Sequence, residues 1–262
     1  MTFGTDIAWK SLNKYNEELC GDMVKIVKTE DSDIVILADG MGSGVKANIL
    51  ATLTSQILAT MLQKGAKIAS CVDTIAKTLP ICQERKVAYA TFSILQIFRD
   101  GRAYLVEYDN PSCVFVRDGK IVPYPYTEQV IEDKKIKEYR FQVKENDCFV
   151  LMSDGVIYAG AGELLNLGWT WESMAEYTLR CTKKTLSASR LAAMLSGACN
   201  DLYEKKPGDD TTVVVVRIRK AQIVNLLTGP PSDSQRDEPM VRSFMESEGK
   251  KVIAGGSSSN MA

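Results

Sequence analysis

The chain contains no histidine among its 262 residues, and that absence removes whole classes of chemistry. A Ser-His-Asp triad, a Cys-His pair, a His-Glu-x-x-His zinc site and a histidine phosphorelay all need an imidazole. Any acid–base work falls to carboxylates, Lys, Tyr, Cys or water held by a metal ion. The seven cysteines (Cys20, Cys71, Cys82, Cys113, Cys148, Cys181, Cys199) are odd in number and show no Cys-x-x-Cys spacing. Most lie in apolar stretches, the pattern of buried free thiols in a reducing cytosol. No basic run occurs either: 32 Lys and Arg against 33 Asp and Glu give a net charge of -1, spread along the chain. That is not the electrostatic footprint of a nucleic-acid binder. Residues 1–6 lack a basic region followed by an apolar one, and no uninterrupted apolar run approaches the ~18 residues of a membrane span. A cytoplasmic protein without a span is expected.

What is present is an ordinary globular composition, 45% hydrophobic and 25% charged, enough for one domain plus an appendage. Residues 5–14, 21–28 and 33–38 read as strands. The run Ile34-Val35-Ile36-Leu37-Ala38 is apolar on both faces and so belongs in the middle of a sheet. From Ser43 to Gln63, Val45, Ile49, Leu50, Leu53, Ile57, Leu58, Met61 and Leu62 recur at helical spacing, and Gly65 ends the helix. A second helix is expected over 67–78, before Pro80. Segments 88–98, 103–108, 112–117, 120–123, 137–143 and 147–152 are rich in β-branched and aromatic residues, punctuated by Asp-Gly, Asp-Asn-Pro and Asn-Asp, the pattern of an antiparallel meander. Helices over 170–183 and 187–204 precede a last strand, 211–219. Strands and helices cluster rather than alternate, which predicts an α+β layered fold. The texture changes beyond Lys220: a strand at 222–227, a turn at Gly229-Pro230-Pro231, a helix at 239–248 and a strand at 250–254 suggest a small β-α-β appendage over 221–262, beside a main domain over 1–220. The final Gly-Gly-Ser-Ser-Ser-Asn has the composition of a loop that leads into something else.

Four acidic stations stand out: Asp22, Asp39, Asp154 and the pair Asp209-Asp210. Asp-Gly is an ordinary turn former, and the chain supplies its own comparison. Asp100-Gly101 and Asp118-Gly119 join half-polar strands beside Lys or Arg, as exposed hairpins do. Asp39-Gly40 and Asp154-Gly155 instead follow solidly apolar runs and lead into small uncharged residues. A carboxylate at the mouth of a buried strand is costly unless it is hydrogen-bonded or neutralised by a cation. Taken singly, each station also fits a turn; their joint occurrence favours a site for hard cations. Gly40-Met41-Gly42-Ser43-Gly44 matches neither common phosphate-loop pattern, because Val45 and Lys46 fall out of step. Its better role is a tight passage into the helix beside the acids.

The series Gly21-Asp22, Ala38-Asp39-Gly40-Met41-Gly42-Ser43-Gly44, Ser153-Asp154-Gly155 and Gly208-Asp209-Asp210-Thr211-Thr212 resembles the metal-dependent PPM/PP2C protein phosphatases, and among them the SpoIIE-like bacterial branch. The resemblance spans residues 5–219. It implies a four-layer αββα sandwich, two antiparallel sheets flanked by helix pairs, with a binuclear Mn or Mg centre. It also implies hydrolysis of phosphoserine or phosphothreonine on a protein, a regulatory phosphoprotein such as an anti-sigma-factor antagonist. By position, Asp22 and Asp39 match ligands of the shared ion pair, the Gly40 carbonyl a further ligand, and Asp154 and Asp209 ligands of the second ion, with Asp210 the alternative to Asp209. Gly42, Ser43 and Gly44 match the substrate side of the site. The chemistry agrees: divalent hard ions take oxygen ligands and retain waters, and two of them can run an in-line displacement without a covalent phosphoenzyme. Two departures concern the substrate clamp and the general acid: no Arg precedes Arg85, and no His exists; a metal-bound water is the expected acid. Cys20 stands where many relatives have Ser. A scaffold that keeps the fold without the activity, and a small-molecule phosphohydrolase, are the competing functions.

Overall fold

The computed structural model describes residues 2–78, 90–131, 134–162, 164–229 and 233–256. Cys82, Arg85, Pro80, the first two residues of the strand expected from 88, Pro230-Pro231 and residues 257–260 lie outside them. The chain divides into two compact units, Met1–Arg219 and Lys220–Ala262.

In the first unit, β1 (Phe3–Leu12), β2 (Asp22–Lys28) and β3 (Ser32–Gly40) are followed by α1 (Gly44–Gln63) and α2 (Ile68–Thr78). Then come β4 (Ala90–Phe98), β5 (Arg102–Tyr108), β6 (Val114–Arg117), β7 (Lys120–Ile121), β8 (Thr127–Ile131), β9 (Lys134–Gln142) and β10 (Cys148–Met152). The short α3 (Asp154–Ile157), α4 (Trp171–Thr182), α5 (Ala188–Leu202) and β11 (Thr211–Lys220) complete it. The strands form two sheets, ordered β1-β11-β10-β6-β7 and β2-β3-β4-β5-β9-β8.

The doubly apolar strands explain why the sheets stack. Alternate residues of a strand face opposite sides. On β3, Ile34, Ile36 and Ala38 pack with Ala51 and Leu58 of α1 and Val72 and Ile75 of α2. Val35 and Leu37, between them, face the other sheet and join Phe149, Leu151, Val214 and Val216. The other sheet repeats the arrangement: Val213 and Val215 of β11 lie with Met174 of α4 and Leu191 and Leu195 of α5. Helices, sheet, sheet, helices is the αββα order. Each fully buried Leu, Ile, Val or Phe contributes about 1.5–3 kcal/mol through burial, so the two inner strands β3 and β11 are stabilised from both faces.

Several boundaries differ from the sequence expectation. The first strand begins and ends two residues early, at Phe3 and Leu12, and the strand expected at 112–117 starts at Val114. β8 and α3 were not anticipated. By length and composition α1 could cross a membrane, with mean hydropathy 1.2, although no long apolar run is visible in the sequence. Its Thr, Ser and Gln residues interrupt the run without lowering the average far, and its Ala47, Leu50, Ala51 and Leu58 are buried in the fold.

The second unit pairs β12 (Val224–Thr228) in parallel with β13 (Lys250–Ala254), with α6 (Asp237–Glu246) between them in the chain. A parallel pair needs such a crossover.

Candidate metal centre

Asp22 opens β2 and stands directly opposite Asp39, the penultimate residue of β3, in the antiparallel register. Directly opposed residues hold their Cβ atoms about 4.5–5.5 Å apart, and like charges there repel. The other sheet delivers its acids from the neighbouring strands β10 and β11, where Met152 pairs with Val213. Asp154 follows β10 as the first residue of α3, and Asp209-Asp210 immediately precedes β11.

Ser153 joins the two sets. Its hydroxyl is buried, donates to Asp22 Oδ2 at 2.7 Å, and accepts from the Thr212 amide at 2.8 Å. The Asp22 carboxylate, carried by one sheet, is thereby fixed to the strand ends of the other.

Asp39, Asp154, Asp209 and Asp109 line one cleft of about 220 Å³, with Gly40, Met41, Gly42, Ala90 and Thr91. Burial is the largest influence on these acids. It pushes the Asp39 carboxyl up to about 9, with the charges of Asp22, Asp154, Asp209 and Asp210 adding to the effect. It raises Asp22 to about 7 against the opposing bonds from Ser153 and Thr212. Asp154 and Asp209 are raised by burial as well, Asp154 also by the charge of Asp209. Among the described residues, the cation recorded beside the group is Lys14, 4.0 Å from Asp209 Oδ1. Asp22 Oδ1 and Asp210 Oδ2 are buried without a hydrogen-bond partner. Buried, mutually repelling carboxylates with orphaned oxygens are what a hard divalent cation neutralises. Among the described residues no three His, Cys, Asp or Glu side chains close into a ready-made cage. Uncompensated acids repel one another, and Mg-type ions complete their shells with water, so the protein ligands need not converge on one point.

The acidic pair separates into two roles. Asp209 lines the cleft, while Asp210 Oδ1 accepts from the Lys14 amide at 3.0 Å. Asp210 Oδ2 lies so close to Gly21 that a Cβ there would stand 2.7 Å from it. Gly40 is pressed against α1: a Cβ at this position would overlap the Ala47 carbonyl. Gly42 lines the cleft, but Ser43 and Gly44 do not. The Ser43 hydroxyl donates to Glu17 Oε1 at 3.0 Å, and Gly44, at φ +66, packs against the same carboxylate. Cys20 is a half-buried thiol, pushed up to about 12 chiefly by desolvation.

Asp109, Thr91 and Glu17 were not singled out from the sequence, and Ser153 only as part of the Ser153-Asp154-Gly155 motif. Asp109 also follows a strand, but one broken by Glu107, and the Asn110-Pro111 after it fits a turn. It does occupy a turn backbone, φ 58.

Two antiparallel sheets between helix pairs, with acids gathered at their strand ends, define the fold of PP2C-type phosphatase domains. The profile of the family described as stage II sporulation protein E (SpoIIE) matches residues 29–219, and the chain belongs to that family. A curated relative, stage II sporulation protein E of Priestia megaterium, is 22% identical over 191 residues, which cover 70% of this chain and 31% of the relative. The chain thus spans about a third of that protein. The solved PP2C phosphatase domain and regulatory-domain fragment of SpoIIE from Bacillus subtilis superposes with a TM-score of 0.69 at 21% identity, covering 83% of this chain and 64% of that one. RsbX in complex with magnesium gives a TM-score of 0.57 at 18% identity, over 82% and 95% of the two chains. At these identities the structural likeness is one of fold.

Proposed function

We propose that the chain is a metal-dependent phosphatase that hydrolyses phosphoserine or phosphothreonine on a regulatory protein, an anti-sigma-factor antagonist being the class implied by the family resemblance. The observation that carries this reading is the apposition of Asp22, Asp39, Asp154 and Asp209 from two sheets with scant cationic compensation. Two divalent ions, Mn or Mg, would be held by Asp22 and Asp39 from the β2–β3 ladder, the Gly40 carbonyl, and Asp154 and Asp209 from the other sheet. The magnesium in RsbX supports a divalent ion. When bound, such ions lower the pKa of a coordinated water and neutralise charge on phosphoryl oxygens.

The chain's own residues supply position. Ser153 holds the Asp22 carboxylate in one orientation, Gly40 lets α1 close over the strand end, and Asp210 braces the segment leading into Asp22. Thr91, directly opposite Asp39 in the β3–β4 ladder, and Asp109 line the same cleft and would meet what enters it. A cleft of about 220 Å³ suits a phosphorylated side chain, with the rest of the substrate protein outside it.

With Mn present, the protein is expected to hydrolyse p-nitrophenyl phosphate and a phosphothreonine peptide. Asp39→Ala and Asp154→Ala should each abolish both activities. Undiminished turnover in either variant discards the reading. A panel of sugar and nucleotide phosphates separates a protein phosphatase, which shows little preference among small esters, from a small-molecule phosphohydrolase.

A further inference from the structure

The roomier cavity of the first unit is not the acidic cleft. A cavity of about 770 Å³ lies between the α1–α2 connection and the outer face of β4, β5 and β9, within the roughly 300–1,000 Å³ of small-molecule sites. β4 runs from one to the other: Ala90 lines the cleft, whereas Gln96 and Phe98 line the cavity.

The cavity lining combines aromatic rings with guanidinium groups. Arg102 lies over the Phe98 ring at 4.8 Å, and Arg140 over the Tyr104 ring at 4.8 Å. Each Arg is anchored by one carboxylate: Arg102 Nε donates to Asp100 at 2.7 Å, and Arg140 Nη2 to Glu138 at 2.9 Å. A guanidinium has five N–H donors, so both keep donors for an incoming group. Lys67 adds a third cation on the α1–α2 connection, against two carboxylates among the described residues, the buried Glu138 in the lining and Asp100 beside Arg102. Gln96 and Gln129 place amides in the same wall, and Leu62 and Ile68 supply the apolar roof.

We infer that this cavity binds a nucleoside monophosphate. Arg forks recognise phosphate oxygens, guanidinium planes and aromatic rings accept a stacked base, and the Gln129 amide can pair with a base edge, the Gln96 nitrogen donating instead to Ser32 Oγ at 2.9 Å. A purely apolar ligand would leave Lys67 and the remaining donors of both guanidiniums facing it. A bare anion would leave the aromatic and aliphatic walls wet.

The test is calorimetric titration of the whole chain with AMP in EDTA, where the metal-free acidic cleft repels anions. AMP is expected to bind saturably, one per chain. Adenosine and inorganic pyrophosphate are each expected to bind at least tenfold more weakly. Arg102→Gln and Lys67→Gln should each weaken AMP about tenfold while leaving the melting temperature and Mn-dependent hydrolysis unchanged. Both side chains are at the surface; if Arg102→Gln lowers the melting temperature, Lys67→Gln carries the test. No saturable AMP binding, pyrophosphate binding as tight as AMP, or affinity unchanged in Lys67→Gln each overturns the inference.

Discussion

The Ser153 hydroxyl spans the two sheets, donating to Asp22 at 2.7 Å while accepting from the Thr212 amide at 2.8 Å. One buried oxygen thus couples the orientation of an acid on β2 to the register of β11. Ser153→Ala leaves Asp22 Oδ2 and the Thr212 N–H unpaired, a loss of about 1–3 kcal/mol. Partners that orient metal ligands typically matter ~10–100-fold in affinity. The variant should unfold at lower urea and take up Mn more weakly, measured by chemical denaturation and calorimetry.

Three glycines separate packing from backbone strain. Gly40→Ala drives a Cβ into the Ala47 carbonyl, so α1 must shift; a loss of about 1–3 kcal/mol is expected from such overpacking, together with weaker Mn uptake. Gly42→Ala meets nothing within 4 Å but must hold φ +101, costing about 1–3 kcal/mol as strain. Gly4, in open space with an ordinary φ, should tolerate Ala or gain about 0.4–1 kcal/mol. Thermal melts of the three variants check this order.

The stacking of the fold was legible because Ile34 to Ala38 carry no polar side, so that strand needed cover on both faces. Edge strand β8 escaped notice because, among the described residues, it pairs only with β9, and Thr127-Glu128-Gln129-Val130 is exposed, with no burial to impose a pattern. α3 is four residues long, too short for a helical period to show. Asp39 and Asp154 stood out because each follows an apolar run and leads into small residues, Asp22 and Asp209 because each stands just before a strand. Which of Asp209 and Asp210 faces the cleft was not visible, since adjacent residues share any spacing argument; in the fold Asp209 lines the cleft and the Asp210 carboxylate lies against Gly21. Ser43 and Gly44 matched a motif, yet their partner is Glu17, a residue with no motif of its own.

Acid sensitivity should trace in part to Asp33, away from the cleft. Burial opposes its charge, but the Arg99 fork at 2.8 and 2.9 Å and the Thr5 hydroxyl at 2.6 Å more than offset this, so its pKa falls below the ordinary 3.8. A lowered folded pKa means stability fully present above 3.8 and lost as pH falls through the folded value. Asp33→Asn should be less stable than wild type at neutral pH, and the gap should narrow below pH about 4. Urea midpoints across pH 2–7 measure it.

The opposed charges of Asp22 and Asp39 set activity against stability. Asp39→Asn, of nearly the same shape, removes one of two facing carboxylates. In EDTA at pH above 9 it should melt higher than wild type, because buried like charges are relieved. With Mn at a hundred times its Kd, wild type gains about 2.7 kcal/mol by linkage, while the variant gains little and hydrolyses nothing. Melting curves with and without Mn show whether the order reverses.

The most direct measurement is an anomalous difference map from crystals grown with Mn. Two peaks about 3.5–4 Å apart, in contact with Asp39 and reached by Asp22, Asp154 and Asp209, are the predicted result. A cleft without peaks at saturating Mn, or ions bound elsewhere on the chain, contradicts the account.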